Sequence, residues 1–313
     1  MAENPPIEYE FPELRRWEKG EAPYIHVLAS GKPGPTVMVA ALTHGNEVSG
    51  AIVVDALLAA GLKPRNGTLI FSFNNIEAYH SFDPKNPFKS RMVEEDFNRT
   101  WGRLDQPAGT VETRRAQVVK PFVERADFLL DLHSMHDDGV PLMLCGPLER
   151  GVELAKKVGT PVDVVRDRGH AAGMRMRDYG AFGDAKGDKT ALLIETGQHW
   201  RASSVVVAKD VTVRFLAATG IVEAADLPAG WKQPASGPQR VVQVSHAIAT
   251  KTGNFKPVRR FEGQEVIAKA GTVLGHDEGE PVTTPYDNCV LVMPSINRPL
   301  RPGVTVVRLG RLQ

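Results

Sequence analysis

The chain has 313 residues, 42% of them hydrophobic and 24% charged, and its 38 basic and 37 acidic residues leave a net charge of +1. That balance fits a folded globular protein and offers no basic surface for nucleic acid or an anionic membrane. No apolar stretch reaches the roughly 20 residues needed to span a bilayer. The length favours one large domain with a smaller one beside it. The N-terminal "MAENPPIEYEFPELRRWEKG" is polar and mixed in charge, and the only cysteines are Cys145 and Cys289. Without a leader-like apolar core or a disulfide framework, the expectation is a cytoplasmic protein.

In chain order, the first buried-strand signal is "TVMVAALT" (36–43), followed by "TLIFSFNN" (68–75), "DFLLDLH" (127–133) and "ALLIET" (191–196). Each run is continuous rather than alternating, as in strands covered on both faces. Helical patterns lie between and after them. "VSGAIVVDALLAAGL" (48–62) stops at Gly61, and "TVETRRAQVVKPFVERA" (110–126) contains Pro121, which is expected to kink or break it. "LERGVELAKKVG" (148–159) and "SSVVVAKDVTVRFLAATG" (203–220) complete the set. Strand–helix alternation of this kind predicts an α/β layer with helices on both faces of a largely parallel sheet. Beyond about residue 225 the texture changes. "DLPAGWKQPASGPQ" (226–239) reads as a linker, and short strand-like runs such as "VIAKA", "NCVLVMP" and "VTVVRLG" follow without a helix. The division is therefore 1–225 and 226–313.

Ligands of α/β sheets gather at the carboxyl ends of strands, and three chemistry-bearing residues fall there. "LTHGNEVSG" places His44 and Glu47 three positions apart after the first apolar run, and "LLDLHS" places His133 at the end of another. Two imidazoles and a carboxylate suit zinc, and three protein ligands leave one position open, as catalytic sites do. Asp131 precedes His133 by two and could orient its ring. Glu195, in "LLIETGQH", ends a further strand and has the chemistry of a general base for a metal-activated water. "SRMVEEDFNRTWGR" (90–103) holds Arg91, Asn98 and Arg99. Arginine grips a carboxylate through two parallel hydrogen bonds, although the same stretch also reads as a solvated charged loop. "GDAKGDKT" (183–190) fails the phosphate-loop pattern because Lys189 does not directly follow the second glycine.

Together, "THGNE", "DFNRTW", "DLHS" and "IETG", in this order and approximate spacing, resemble the succinylglutamate desuccinylase/aspartoacylase family, a branch of the zinc carboxypeptidase superfamily. The likeness extends over essentially the whole chain. It implies a carboxypeptidase-like mixed sheet flanked by helices in residues 1–225. By the resemblance, His44, Glu47 and His133 would hold one Zn2+ per chain, and Glu195 would activate the water. Arg91 would polarise the scissile carbonyl, and Asn98 and Arg99 would grip a substrate carboxylate or acyl group. A further arginine of the family does not map cleanly; Arg175 and Arg177 in "GMRMRDYG" are its candidates, and Tyr286 is a candidate for a tyrosine that some members project from the second domain. Residues 226–313 resemble barrel-sandwich modules related to biotinyl and lipoyl carriers. They lack the modified lysine, and so imply an all-β cap over the pocket mouth.

The resulting expectation is a zinc-dependent hydrolase that cleaves the amide bond of an N-acyl amino acid or related small amide, with a small-molecule N-acyl partner. A metallocarboxypeptidase acting on short peptides and a non-catalytic zinc-containing binding protein are the alternatives. A homo-oligomer is left open.

Overall fold

The computed structural model describes residues 5–170, 172–295 and 301–313. The N-terminal half contains β1 (Ile25–Ala29), β2 (Thr36–Ala41), α1 (Ser49–Ala59), β3 (Thr68–Phe73), α2 (Ile76–His80), α3 (Val111–Arg125), β4 (Phe128–Met135) and β5 (Leu142–Leu144). Next come α4 (Glu149–Val158), β6 (Asp163–Arg166), β7 (Thr190–Gln198) and α5 (Ala202–Ala218). The C-terminal part is β8 (Arg240–Ala249), β9 (Lys256–Pro257), β10 (Glu265–Ile267), β11 (Val273–Asp277), β12 (Glu280–Thr283), β13 (Cys289–Val292) and β14 (Thr305–Leu312).

Eleven strands form one mixed sheet in the order β1-β3-β2-β4-β7-β5-β6-β8-β14-β13-β10. The four apolar runs read from the sequence are its adjacent strands β3, β2, β4 and β7, all mutually parallel. Alternation of side chains across the pleat sorts their residues into two cores. Val37, Val39 and Ala41 of β2 and Leu130 and Leu132 of β4 join α1, α4 and α5 on one face. Met38, Ala40 and Leu129 join α3 on the other. Helices thus cover both faces, which is why these strands are apolar throughout. The run of parallel pairs is interrupted at β5, which runs antiparallel to β7, resumes through β6 and β8, and gives way to antiparallel pairs beyond β8, so the sheet as a whole is mixed.

Pro121 does not break α3, which is continuous from Val111 to Arg125. The proline lies on the exposed side of the helix, while Ala116, Val119, Phe122 and Val123 hold the opposite side in the core. The tertiary packing outweighs one missing backbone hydrogen bond. Residues 227–239 carry no helix or strand, yet the large sheet continues past them. β8 pairs in parallel with β6 and antiparallel with β14, so β14, β13 and β10 extend the sheet begun by the N-terminal half. β12, β11 and β9 form a separate three-stranded sheet. Among the described residues, no helix is long and apolar enough to cross a membrane.

The position of α1 determines where the chain after β2 is delivered. Gly50 sets its depth: a Cβ there would lie 2.6 Å from the Cβ of Leu132 in β4. Gly50→Ala is expected to push α1 off the sheet and cost about 1–3 kcal/mol of stability, as overpacked cores do. Urea unfolding measures this; an unchanged midpoint would show that α1 can shift without loss.

Candidate active site

The site forms where β2, β4 and β7 end. After β2 the backbone turns sharply at Leu42, which has φ 58°, and the turn is held by hydrogen bonds from Asn74 N–H to Ala41 O (2.8 Å) and Asn75 N–H to Leu42 O (2.7 Å). Only glycine fits next: a Cβ on Gly45 would lie 2.4 Å from the carbonyl carbon of Ala78 and 2.5 Å from Ser90 O. Gly45 N–H donates to Arg91 O (3.1 Å), which ties the Arg91 loop to this turn, and Glu47 N–H donates back to His44 O (3.1 Å). The compact turn is what brings His44 and Glu47 together on the floor of a cavity.

β4 supplies His133 from the face shared by Leu129 and Asp131, and β7 supplies Glu195, which is the register partner of His133 across the parallel pair. His44, Glu47, His133 and Glu195 are all buried. The Nδ1 atoms of the two histidines converge on one carboxylate: His44 Nδ1 lies 2.7 Å from Glu47 Oε1 and His133 Nδ1 lies 2.8 Å from Glu47 Oε2. Their outer nitrogens each meet another acid, His44 Nε2 with Asp96 at 3.0 Å and His133 Nε2 with Asp131 at 2.9 Å. Asp131 is itself fixed by a 2.8 Å hydrogen bond from Thr43 Oγ1. One donor atom from each of His44, Glu47 and His133 lies within 4.8 Å of the others, so the cluster could hold a metal ion. Its N, N, O composition, with carboxylates behind both imidazoles, fits zinc.

The ionisation of the cluster follows from its burial. Burial disfavours a charged Glu47, but His44 and His133 outweigh it and hold the carboxyl well below its ordinary range. Burial likewise opposes the charged form of His133, and Asp131 and Glu47 reverse this, raising it well above the ordinary histidine value. Glu195 goes the other way, pushed up to about 8 by burial and then by the nearby Glu47. Its Oε2 is buried without a hydrogen-bond partner among the described residues.

Arg91 donates to Glu47 Oε1 (3.0 Å) and Asp96 Oδ2 (3.2 Å) and approaches His44 Nε2 at 2.8 Å, so it stands beside the donor set. Asn98 is buried and its Oδ1 accepts from Met176 N–H (2.8 Å), and the Arg99 guanidinium donates to Asn98 O (2.7 Å). All three line a cavity of about 690 Å3 together with His44, Glu47, His133 and Glu195. Arg175 also lines it, but its guanidinium is held by Asp167 at 2.7 and 2.9 Å and by Asp178. Arg177 is buried behind the wall, donating to Cys145 O and Ala191 O. Tyr286 lies in the C-terminal core, close to Ser245 and under the Arg311 guanidinium, and is not part of the cavity lining.

Two residues without a role in the sequence reading join the site. Asp96 is five positions beyond Arg91, and its carboxyl caps the turn at Phe97–Arg99 while contacting His44. A helix-capping acid next to the Asn98-Arg99 pair was the available signal. Arg308, on β14, reaches the cavity through sheet order, which no local pattern announces.

A family model described as the succinylglutamate desuccinylase/aspartoacylase catalytic domain matches residues 33–214. A comparison with curated protein sequences gives no match. Among solved structures, the chain is similar to a succinylglutamate desuccinylase/aspartoacylase from Rhodobacter sphaeroides, with 19% identity, a TM-score of 0.64, and coverage of 92% of this chain and 88% of the other. The succinylglutamate desuccinylase of Vibrio parahaemolyticus gives 16% identity, a TM-score of 0.64, and coverage of 91% and 83%. The ectoine utilization protein EutE from Ruegeria pomeroyi gives 17%, 0.62, and 91% and 88%. At these identities the structural likeness establishes the shared fold.

Two outcomes are expected of the cluster. Asp131→Asn removes the charge behind His133 and should weaken zinc binding by about 10–100-fold, read by chelator competition; unchanged affinity would mean that Asp131 serves only the Thr43 contact. The raised value of Glu195 means that the folded protein keeps a proton that the unfolded chain releases above its ordinary value of 4.5. The stability this contributes is present below that value and is lost as pH rises through about 8. In metal-free protein the melting temperature should therefore fall more between about pH 5 and pH 8.5 in the wild type than in Glu195→Gln. Parallel curves would remove Glu195 from the explanation.

Proposed function

Because the chain belongs to the succinylglutamate desuccinylase/aspartoacylase family, we propose that it is a zinc-dependent hydrolase cleaving the amide bond of an N-acyl amino acid or a related small amide. The observation that carries this reading is the placement of Glu195. A buried carboxyl with an unpartnered oxygen stands in register beside His133 and faces the same cavity as the donor set. A purely structural metal site has no use for such a group.

His44, Glu47 and His133 would hold the zinc. When bound, the ion would supply a Lewis acid that acidifies water and polarises a carbonyl. The chain's own groups account for the remaining work. Glu195, as carboxylate, takes a proton from the attacking water as oxygen bonds to the acyl carbon. It then returns that proton to the departing nitrogen as the C–N bond breaks, leaving a carboxylic acid and an amine that settle as carboxylate and ammonium. Arg91, beside the donor set, would meet the carbonyl oxygen as negative charge develops. Arg99 has no ion pair among the described residues, so its donors are available to a substrate carboxylate. Burial lowers it only to about 10, so it stays charged at neutral pH.

The deciding measurement is turnover by zinc-replete Glu195→Gln on N-acetyl and N-succinyl amino acids, with dipeptides in the same panel. Loss of proton transfer should reduce kcat by about 10²–10⁴-fold. Zinc content should stay at the wild-type level, since the residue is outside the ligand set. Near-normal turnover on the substrates that the wild type hydrolyses would overturn the mechanism, and faster cleavage of dipeptides than of N-acyl amino acids would assign the site to peptides instead.

A further inference from the structure

Among the described residues, four arginines line the cavity: Arg91, Arg99, Arg175 and Arg308. Arg91 is paired with Glu47 and Asp96, and Arg175 with Asp167 and Asp178. Arg308 makes no hydrogen bond or ion pair through its guanidinium among the described residues. The acid that acts on it most strongly, Asp167, has both oxygens occupied by Arg175. Arg175 and Glu195 are the other charges acting on Arg308, and Arg99 and His170 feel its charge in turn. A guanidinium taken largely out of water without a partner is costly, and a cavity-facing one recovers that cost when an anion enters.

We propose that Arg308 is a specificity-determining residue, supplied to the active site by the C-terminal strand β14, that pairs with a carboxylate of the substrate on the side of the cavity shared with Arg99. The proposal rests on reading the cavity as a deacylase site. The ligand class is a carboxylate-bearing N-acyl compound, because a planar guanidinium matches a carboxylate through two parallel N–H bonds and holds it at a fixed angle. The position of Arg308 in the fold gives the C-terminal part a direct role in selecting the substrate. β14 is tied to β8 and β13 on its two sides, so the side chain projects from a rigid support.

Two measurements on zinc-loaded wild type, Arg308→Ala and Arg308→Lys test this. The first is calorimetric binding of succinate, which needs no turnover. Arg308→Ala should weaken it by about 10-fold or more, and Arg308→Lys should recover part of the loss because it restores charge without the planar fork. The second compares kcat/KM on an N-acetyl amino acid with that on the same compound bearing a carboxamide in place of the α-carboxylate. The loss in Arg308→Ala should appear mainly in KM and should be at least about tenfold larger on the carboxylate form. Equal losses on both forms, or succinate binding that is absent in the wild type or unchanged by the substitution, would overturn the proposal. If neither compound is hydrolysed by the wild type while succinate binding depends on Arg308, the deacylase reading falls and the anion site stands.

Discussion

The cavity floor depends on one buried carboxylate. Glu47 receives His44 Nδ1, His133 Nδ1, the Arg91 guanidinium and Ser134 N–H (3.1 Å), and it is 2% exposed. A carboxylate so enclosed is tolerable only while its partners stay in place, because an unpaired buried charge costs several kcal/mol. The surrounding structure answers that requirement. The Gly45 turn holds His44 and Arg91, and β4 supplies His133 and Ser134. Without a cation, a proton held on His133 offsets the charge of Glu47, which is why His133 is raised and Glu47 lowered. A divalent ion would displace that proton and take over the same electrostatic role, so metal affinity at this site is coupled to pH by construction.

Glu195 is the opposing element. It sits one strand away from His133, close enough for Glu47 to raise its value, and it has no compensating hydrogen bond on Oε2. That arrangement destabilises the charged form of Glu195 in the metal-free protein. The cost is borne by the sheet beneath it: Leu192 and Ile194, on the opposite face of β7, pack with α1, α4 and α5 in the largest apolar cluster described. Alternation along one strand therefore puts Leu192 and Ile194 into the core of one face and leaves Glu195, at the end of the other, to face the cavity.

The same alternation explains what could be read from the amino-acid sequence. The central strands were legible because burial on both faces makes them continuously apolar, and His44, His133 and Glu195 were legible because they interrupt those runs at their ends. The helices α4 and α5 matched their periodicity to within a residue or two. Pro121 does not break its helix because an exposed ring on a helix with a well-packed inner side is a small perturbation. Continuation of the main sheet across residues 227–239 was not legible, since it depends on β8 pairing with β6, a contact between segments 77 residues apart along the chain (Asp163 with Arg240) that leaves no local mark. Arg308 escaped for the same reason. Asp96 was overlooked within a run of acids, where its contacts with His44 and Arg91 and its cap on the following turn distinguish it from Glu94 and Glu95.

Charge in the cavity is divided between groups that titrate and groups that do not. The floor carries Glu47, His133 and Glu195, whose protonation is set by one another and by any bound ion. The opposite character belongs to Arg99, Arg175 and Arg308, which remain cationic through neutral pH. His170 beside them is driven down to about 4, first by burial and then by Arg99, Arg308 and Arg175, so it is neutral there and adds hydrogen-bonding capacity without charge. An anionic substrate is therefore met by positive charge that is insensitive to pH over about 5–9, while proton transfer is assigned to Glu195, whose value of about 8 lies in that window. Binding and chemistry are thereby assigned to different groups of one cavity. The pH dependence of turnover belongs to the floor formed by β2, β4 and β7, and the pH independence of recognition belongs to the arginines, one of which arrives from the far end of the chain.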